Sequence, residues 1–313
     1  MITKKIFDPR KVVWYVRYEL VISIPLIVAV WVLFDVFQIR LIALPFSIAA
    51  TLGGALAIFL GFRNNNSYGR WWEARTLWGN IINNSRIFAR QIIANAQNAI
   101  YIGKATPEEV EVFTKSIVYR QIAFAHALRL HLRNQREWEE IRPFLLDKAE
   151  YEQLIQVNNL PNMILQTQAK SIKEGIRKEI LGGFDNISIE PTLAGFNNFQ
   201  GACERIKNTP LLRQYHYFTN VFLYSFMALL PFCLVGDFAK LGITPVMMPI
   251  AILLCFIFSI IAKVGEANED PFENRPTDVP MTAICNTIER DLREMLDEKE
   301  LPAKPIFPEG VLM

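Results

Sequence analysis

Four stretches of this chain are apolar and free of charge: Leu20 to Phe34, Leu41 to Phe62, Gln214 to Gly236, and Leu241 to Ala262. A helix needs roughly 20 apolar residues to cross a hydrocarbon core of about 30 Å. The last three runs reach that length outright, and the first does so if it starts near Tyr15. In lipid, backbone polar groups must be satisfied within the segment, so the runs are expected to be four transmembrane helices. No charged residue is expected inside any span. A proton-coupled transporter would therefore lack its usual intramembrane carboxylate or lysine.

The connections make two hairpins, with only Asp35 to Arg40 between the first pair and Asp237 to Lys240 between the second. Basic residues gather at the other ends of the spans. Lys4, Lys5, Arg10, Lys11 and Arg17 face a single Asp8 before the first; Arg63, Arg70 and Arg75 follow the second; Arg205, Lys207 and Arg213 precede the third. By the positive-inside rule this side is cytoplasmic, with both termini and the long middle region. The first run is read as a retained span, since no small-residue cleavage site follows it.

The expected organisation is then 1–62 for the N-terminal segment and spans one and two, 63–213 for a helical cytoplasmic region, 214–262 for spans three and four, and 263–313 for a cytoplasmic tail. Composition agrees, with 51% hydrophobic and only 20% charged residues over 313 positions and a mean hydropathy of +0.19. A net charge of +2 is too balanced for a nucleic-acid binder.

In the middle region, Phe113 to Arg136 repeats Ile117, Phe124, Leu128 and Leu132 on one helical face, with Arg120, Arg129 and Arg136 elsewhere. Thr106-Pro107-Glu108-Glu109 has the form of a helix start. Asn162 to Leu181 and Pro191 to Lys207 read as further helices, parted by Gly182-Gly183. In the tail, Thr282 to about Glu298 reads as an amphipathic helix. The extended stretch after Leu301 carries Ile306, Phe307, Val311 and Leu312, which favour its lying across another surface.

Catalysis is not indicated. There is no G-x-x-x-x-G-K-[ST] loop, G-x-S-x-G elbow or H-E-x-x-H motif. Cys203, Cys233, Cys255 and Cys285 have no metal-ligand spacing and read as buried thiols; His126, His131 and His216 read as structural. The soluble part is all-helical.

The second run carries a pattern. Ser47, Thr51, Gly54, Ile58, Phe62, Asn65 and Gly69 follow at three- and four-residue steps and share one helical stripe. The stripe is polar, then small, then apolar and bulky, then polar again. Small residues suit close helix packing in lipid, whereas wet mouths around a narrow apolar constriction suit a pore gated by dewetting. Periodicity leaves both open.

Gly61-Phe62-Arg63-Asn64-Asn65-Asn66-Ser67-Tyr68-Gly69-Arg70-Trp71-Trp72-Glu73-Ala74-Arg75, with Leu77-Trp78-Gly79, resembles the signature of bestrophins, above all their bacterial members. Gly201-Ala202-Cys203-Glu204-Arg205-Ile206-Lys207-Asn208-Thr209-Pro210 and Asp270-Pro271-Phe272 resemble two further motifs of that family, in order and at fitting spacing. The resemblance implies an all-α membrane protein, a homopentameric ring around a central pore in the bacterial inner membrane, conducting monovalent ions. It places rings of a hydrophobic neck at Ile58 and Phe62. The third ring falls on Gly54, which is not bulky. Ser47, Thr51 and Asn65 would line the pore, and a cytoplasmic constriction would sit near Met163 or Ile164. Trp71, Trp72 and Glu73, readable as an interfacial anchor, would pack subunits together.

Animal members bind calcium through an acidic run after the fourth span. Here Glu266, Glu269, Asp270 and Glu273 are interrupted by Pro271; Glu269 and Asp270 are the candidates for calcium, and capping or pairing with arginines of a neighbour is the competing role. No other cofactor is expected. The family includes chloride channels and bacterial members that pass sodium. The middle region, with 20 Lys and Arg against 15 acids from Arg63 to Arg213, leans towards anions such as chloride. Arg63 could face the lumen or a neighbour's Glu73. A cation channel of the same fold and a non-conducting receptor or scaffold are the alternatives.

Overall fold

The structure, a computed structural model, describes residues 9–304 and 310–312. Lys4, Lys5, Asp8, Ile306 and Phe307, used above, lie outside the described residues. Among the described residues every secondary-structure element is helical. They are α1 (Pro9–Tyr15), α2 (Arg17–Trp31), α3 (Phe46–Tyr101), α4 (Pro107–Leu132), α5 (Lys148–Leu154), α6 (Leu160–Arg177), α7 (Asp185–Asn208), α8 (Arg213–Lys240), α9 (Met247–Asn268) and α10 (Met281–Glu294), with short 3₁₀ and π turns between some of them. The chain forms two compact units. Of the described residues, one takes 9–71 together with Pro210–Asp270, and the other takes Trp72–Thr209 and those from Pro271 onward. These divisions fall about two helical turns beyond the 62/63 and 262/263 boundaries read from charge. The first charged residue marks where the apolar run stops, whereas helix packing continues past it through buried polar side chains.

The first unit holds four helical segments long and apolar enough to cross a membrane: Arg17–Val36, the beginning of Arg40–Tyr101, Arg213–Lys240 and Thr244–Asn268. Ile27, Val30, Leu56, Leu60, Leu223, Phe226, Leu230, Ala251 and Cys255 interlock in its core. The first span starts at Arg17, since Val16 (φ −107°, ψ 18°) breaks the helix behind it. Glu19 is thereby inside the first turn of α2, contrary to the expectation that no span contains a charge. It is 4% exposed and pairs with Lys263 of α9 at 3.4 Å. The Asp237–Lys240 segment is the last turn of α8 rather than a loop, closed by a 2.7 Å Lys240–Asp237 pair.

In the second unit α4 is the centre. The Thr106 hydroxyl accepts from the Glu109 amide at 3.2 Å, and the Glu109 carboxylate accepts from the Thr106 amide at 2.9 Å. Both donors would otherwise be orphaned at the helix start. Ile117, Phe124, Leu128 and Leu132 are buried as their spacing implies, but so are Arg120 and Arg129. Arg120 grips Glu150 through Nε (2.6 Å) and Nη2 (2.7 Å) and reaches Gln168. Arg129 pairs with Glu140. From Phe113 onward α4, covered by α6, α7, α10 and the 3₁₀ turn Trp138–Phe144, has no exposed residue, so Arg120 and Arg129 must meet their carboxylates inside. At the α4–α6 crossing, a Cβ on Gly175 would lie 2.5 Å from the Phe113 ring, so only glycine allows this approach.

Helix boundaries shift by a few residues from those expected. α6 begins at Leu160, where the Asn159 side chain caps the Asn162 amide. α7 begins at Asp185, six residues before Pro191, which lies within its first turns. From residue 295 to 304 the chain is non-helical, and Arg290 and Asn286 hold the carbonyls of Pro302 and Ala303.

Candidate functional site

Ser47, Thr51, Gly54, Ile58, Phe62, Asn65 and Gly69 are all exposed along α3. Ile58 is 61% and Phe62 63% exposed. Apart from its neighbours and the backbone of its own turn of helix, nothing lies within 4 Å of where a Cβ on Gly54 would be. The opposite side of the helix is buried, with Ala49, Leu56, Leu60, Arg63 and Ser67 turned inward. The 3.6-residue period separates the two sides cleanly: one is used to hold the bundle, and the other is uncovered in the single chain. The Thr51 hydroxyl donates to the Ser47 carbonyl at 2.8 Å, so it presents acceptor lone pairs outward. Asn64, by contrast, donates to the Ile261 carbonyl at 3.0 Å and belongs to the packed side.

Below Phe62 the packed side turns into a layer of charge. Arg63, 1% exposed, places Nη2 2.6 Å from His216 Nδ1 and 3.2 Å from Glu269 Oε2. A guanidinium can only donate, so Nδ1 accepts and the ring proton sits on Nε2, 3.0 Å from the Asn220 side-chain amide, which accepts it once its oxygen rather than its nitrogen is turned to the ring. Arg70 donates through Nε to the Glu269 carbonyl at 2.9 Å and lies 3.8 Å from Asp270. Lys263 contacts Glu266 at 3.0 Å as well as Glu19. Arg63 thus faces neither the open side of α3 nor Glu73, which pairs with Arg205 at 2.5 Å.

The calcium candidates take part in this layer. A calcium ion takes about six to eight oxygens, but a carboxylate oxygen and the carbonyl of Glu269 are engaged by Arg63 and Arg70, and Asp270 faces Arg70. Among the described residues no three His, Cys, Asp or Glu side chains converge as metal ligands. The residues present do not fit a calcium clasp, since within the chain these acids already face Arg63 and Arg70.

Ile164 is fully buried in the core beside Leu160 and Leu165, so it cannot line a constriction, whereas Met163 is half-buried. Helical phase explains the difference, since adjacent residues point about 100° apart. Trp71 is half-buried and stacks on Tyr68 with ring centroids 6.4 Å apart. His126 stacks on Phe144 and lies 3.6 Å from Glu289, and His131 lies 3.5 Å from Glu204. The four cysteines are buried free thiols. The Glu19–Lys263 pair escaped the sequence reading, although its signal was present: a lone acid at the start of one apolar run and a lone base at the end of another, both on the basic side.

The sequence pattern described as Bacterial/Fungal Bestrophin protein matches residues 10–294. The Escherichia coli (strain K12) protein named voltage-dependent anion channel-forming protein YneE is 38% identical over 267 residues, 85% of this chain and 80% of that one. The protein of the same name from Salmonella typhi is 34% identical over 306 residues, 97% and 91% of the two chains. The crystal structure of a bacterial bestrophin homologue from Klebsiella pneumoniae superimposes with a TM-score of 0.79 at 27% identity, covering 91% of this chain and 100% of that one. With four membrane-length helices, three relatives aligned over most of their length and a family pattern spanning nearly the whole sequence, this membrane protein belongs to the bestrophin family.

Proposed function

We propose that the chain is one subunit of a homopentameric channel that conducts monovalent anions such as chloride passively across the bacterial inner membrane. The observation that carries this reading is the uncovered stripe on α3, in which exposed Ile58 and Phe62 lie between polar bands. Five copies facing one axis would form a narrow apolar neck at Ile58 and Phe62, a wider level at Gly54, and wet mouths lined by Ser47, Thr51 and Asn65. Such a neck gates by excluding water rather than by binding ions. The names of the Escherichia and Salmonella relatives support anion conduction. With Arg63 buried against Glu269, anion preference would come from the basic excess of the middle region acting over distance, not from an arginine ring at the neck. If a second constriction exists on α6, Met163 is the residue with surface to offer it. An even number of spans puts both termini on one side, and the basic excess makes that side cytoplasmic.

The test is reversal potential in planar bilayers of purified protein under a potassium chloride gradient. A value near the chloride equilibrium potential is expected. A value near that of potassium would make this a cation channel of the same fold. No current, even with the neck side chains removed, would leave a non-conducting receptor or scaffold.

A further inference from the structure

We infer that the junction of α1 and α2 is a binding site for the headgroup phosphate of an anionic phospholipid, centred on Arg17. Pro9, Arg10, Val13, Trp14 and Arg17 line a surface hollow of about 520 Å³. The Arg17 guanidinium lies 4.1 Å from the Trp14 ring centroid and 4.7 Å from that of Tyr18, and donates to the Tyr18 hydroxyl at 2.9 Å. Two aromatic faces thus hold the guanidinium in place without neutralising it. Among the described residues no carboxylate pairs with Arg17; the nearest acid in sequence, Glu19, is turned inward to Lys263.

Position and surroundings select a lipid rather than a free anion. Arg17 opens the first membrane-length helix, so its level is the edge of the hydrocarbon core. Trp14 (62% exposed) and Tyr18 (65%) stand at the same level, where amphipathic rings concentrate in membrane proteins. One turn further into the membrane, Val21 and Ile22 are exposed and apolar. A planar guanidinium fork matches phosphate oxygens in pairs, and the apolar strip beside it continues in the direction that acyl chains take. A free phosphate would use the first feature and have no use for the second.

The experiment uses the full chain reconstituted in vesicles of phosphatidylglycerol and phosphatidylcholine in equal parts, with retained lipids counted by native mass spectrometry. Wild type should retain phosphatidylglycerol preferentially, and Arg17→Gln should lower that preference about fivefold, in line with the interaction of one basic residue with an anionic surface. Arg17→Lys should keep part of it, because charge remains while the fork is lost. Trp14→Leu should weaken it with the guanidinium intact, which keeps the inference testable if Arg17→Gln fails to fold. An unchanged preference in Arg17→Gln would overturn the site. So would an equal loss in Lys240→Gln at the far end of α8, which would mean a general charge effect. Displacement of the lipid by inorganic phosphate would make it a free-anion site, and a changed subunit number in Arg17→Gln would make it a subunit contact; either result overturns the lipid assignment.

Discussion

Phe62 and Arg63 are neighbours in sequence with opposite surroundings: Phe62 is 63% exposed on the open side of α3, and Arg63 is 1% exposed, with Glu269 and His216 on its guanidinium. One residue step on a helix turns about 100°, which carries the chain from the uncovered stripe to the interior of the bundle. The consequence is mechanical. Rotating α3 so that Phe62 leaves the stripe would drag a buried cation away from its carboxylate, so the Arg63 contacts hold the azimuth of the proposed neck.

Replacing Ile58 and Phe62 together by alanine should raise single-channel current, since an apolar constriction resists ions by staying dry. Neither side chain is buried within the chain, so the double variant should still fold as wild type by circular dichroism. Unchanged current in a folded double variant would show that the constriction lies elsewhere.

Glu269→Gln should destabilise the protein by roughly 3 kcal/mol, because it leaves the Arg63 charge buried without its carboxylate. Arg63→Met combined with Glu269→Met should recover much of that loss, as an apolar pair has no desolvation cost to offset. Denaturant titration of the detergent-solubilised protein measures both. A double variant no more stable than Glu269→Gln would refute the uncompensated charge as the cause.

The end of α10 is held by a cluster sensitive to both ends of the pH scale. Glu298 accepts from the Tyr119 hydroxyl at 2.6 Å and Arg293 Nε at 2.7 Å, with Lys115 at 3.1 Å. Burial pushes the Glu298 carboxyl up, but the bonds from Tyr119, Arg293 and Lys115 outweigh it and hold the group below its ordinary 4.5. Burial, then the bond to Glu298, pushes Tyr119 up to about 12. The depressed acid stabilises fully above its ordinary value, and this is lost as pH falls through the folded one. The raised phenol stabilises fully below its ordinary 10.0, and this is lost as pH rises towards about 12. Hydrogen-exchange protection of α10 should therefore plateau between these limits, and Tyr119→Phe should abolish the alkaline decline. An identical alkaline decline in Tyr119→Phe would rule out the phenol as its source.

Cys203 and Cys285 should resist alkylation in the folded protein. Burial pushes both thiols up to about 12, far above any mild labelling pH. Mass spectrometry after maleimide treatment should find them modified only once denaturant is added. Rapid labelling under native conditions would mean that these cores open readily.

Much of this architecture was legible because it depends on short-range chemistry. The length of the charge-free runs marks the spans, Thr106 and Glu109 mark the start of α4, and the spacing from Ser47 to Gly69 puts those residues on one stripe whatever packs behind it. What escaped depends on partners far away in the chain. Arg120 and Arg129 stand off the apolar face in the sequence pattern, and nothing local reveals that α6, α7 and α10 enclose α4 and bury them too. Ile164 differs from Met163 only in helical phase against neighbours that the segment itself does not name.

From the sequence alone came the number of spans, the helical class, the stripe on α3 and the family resemblance, since hydrophobic run length and helical period act over a few turns. Only the tertiary structure decided that Arg63 belongs to Glu269 and His216, that Glu19 enters the first span to meet Lys263, and that Asp270 lies beside Arg70. The physical reason is desolvation. A charge that packing removes from water must find a counter-charge within a few ångströms, and which residue lies there, 206 positions away for Glu269 from Arg63, is settled by how the helices pack.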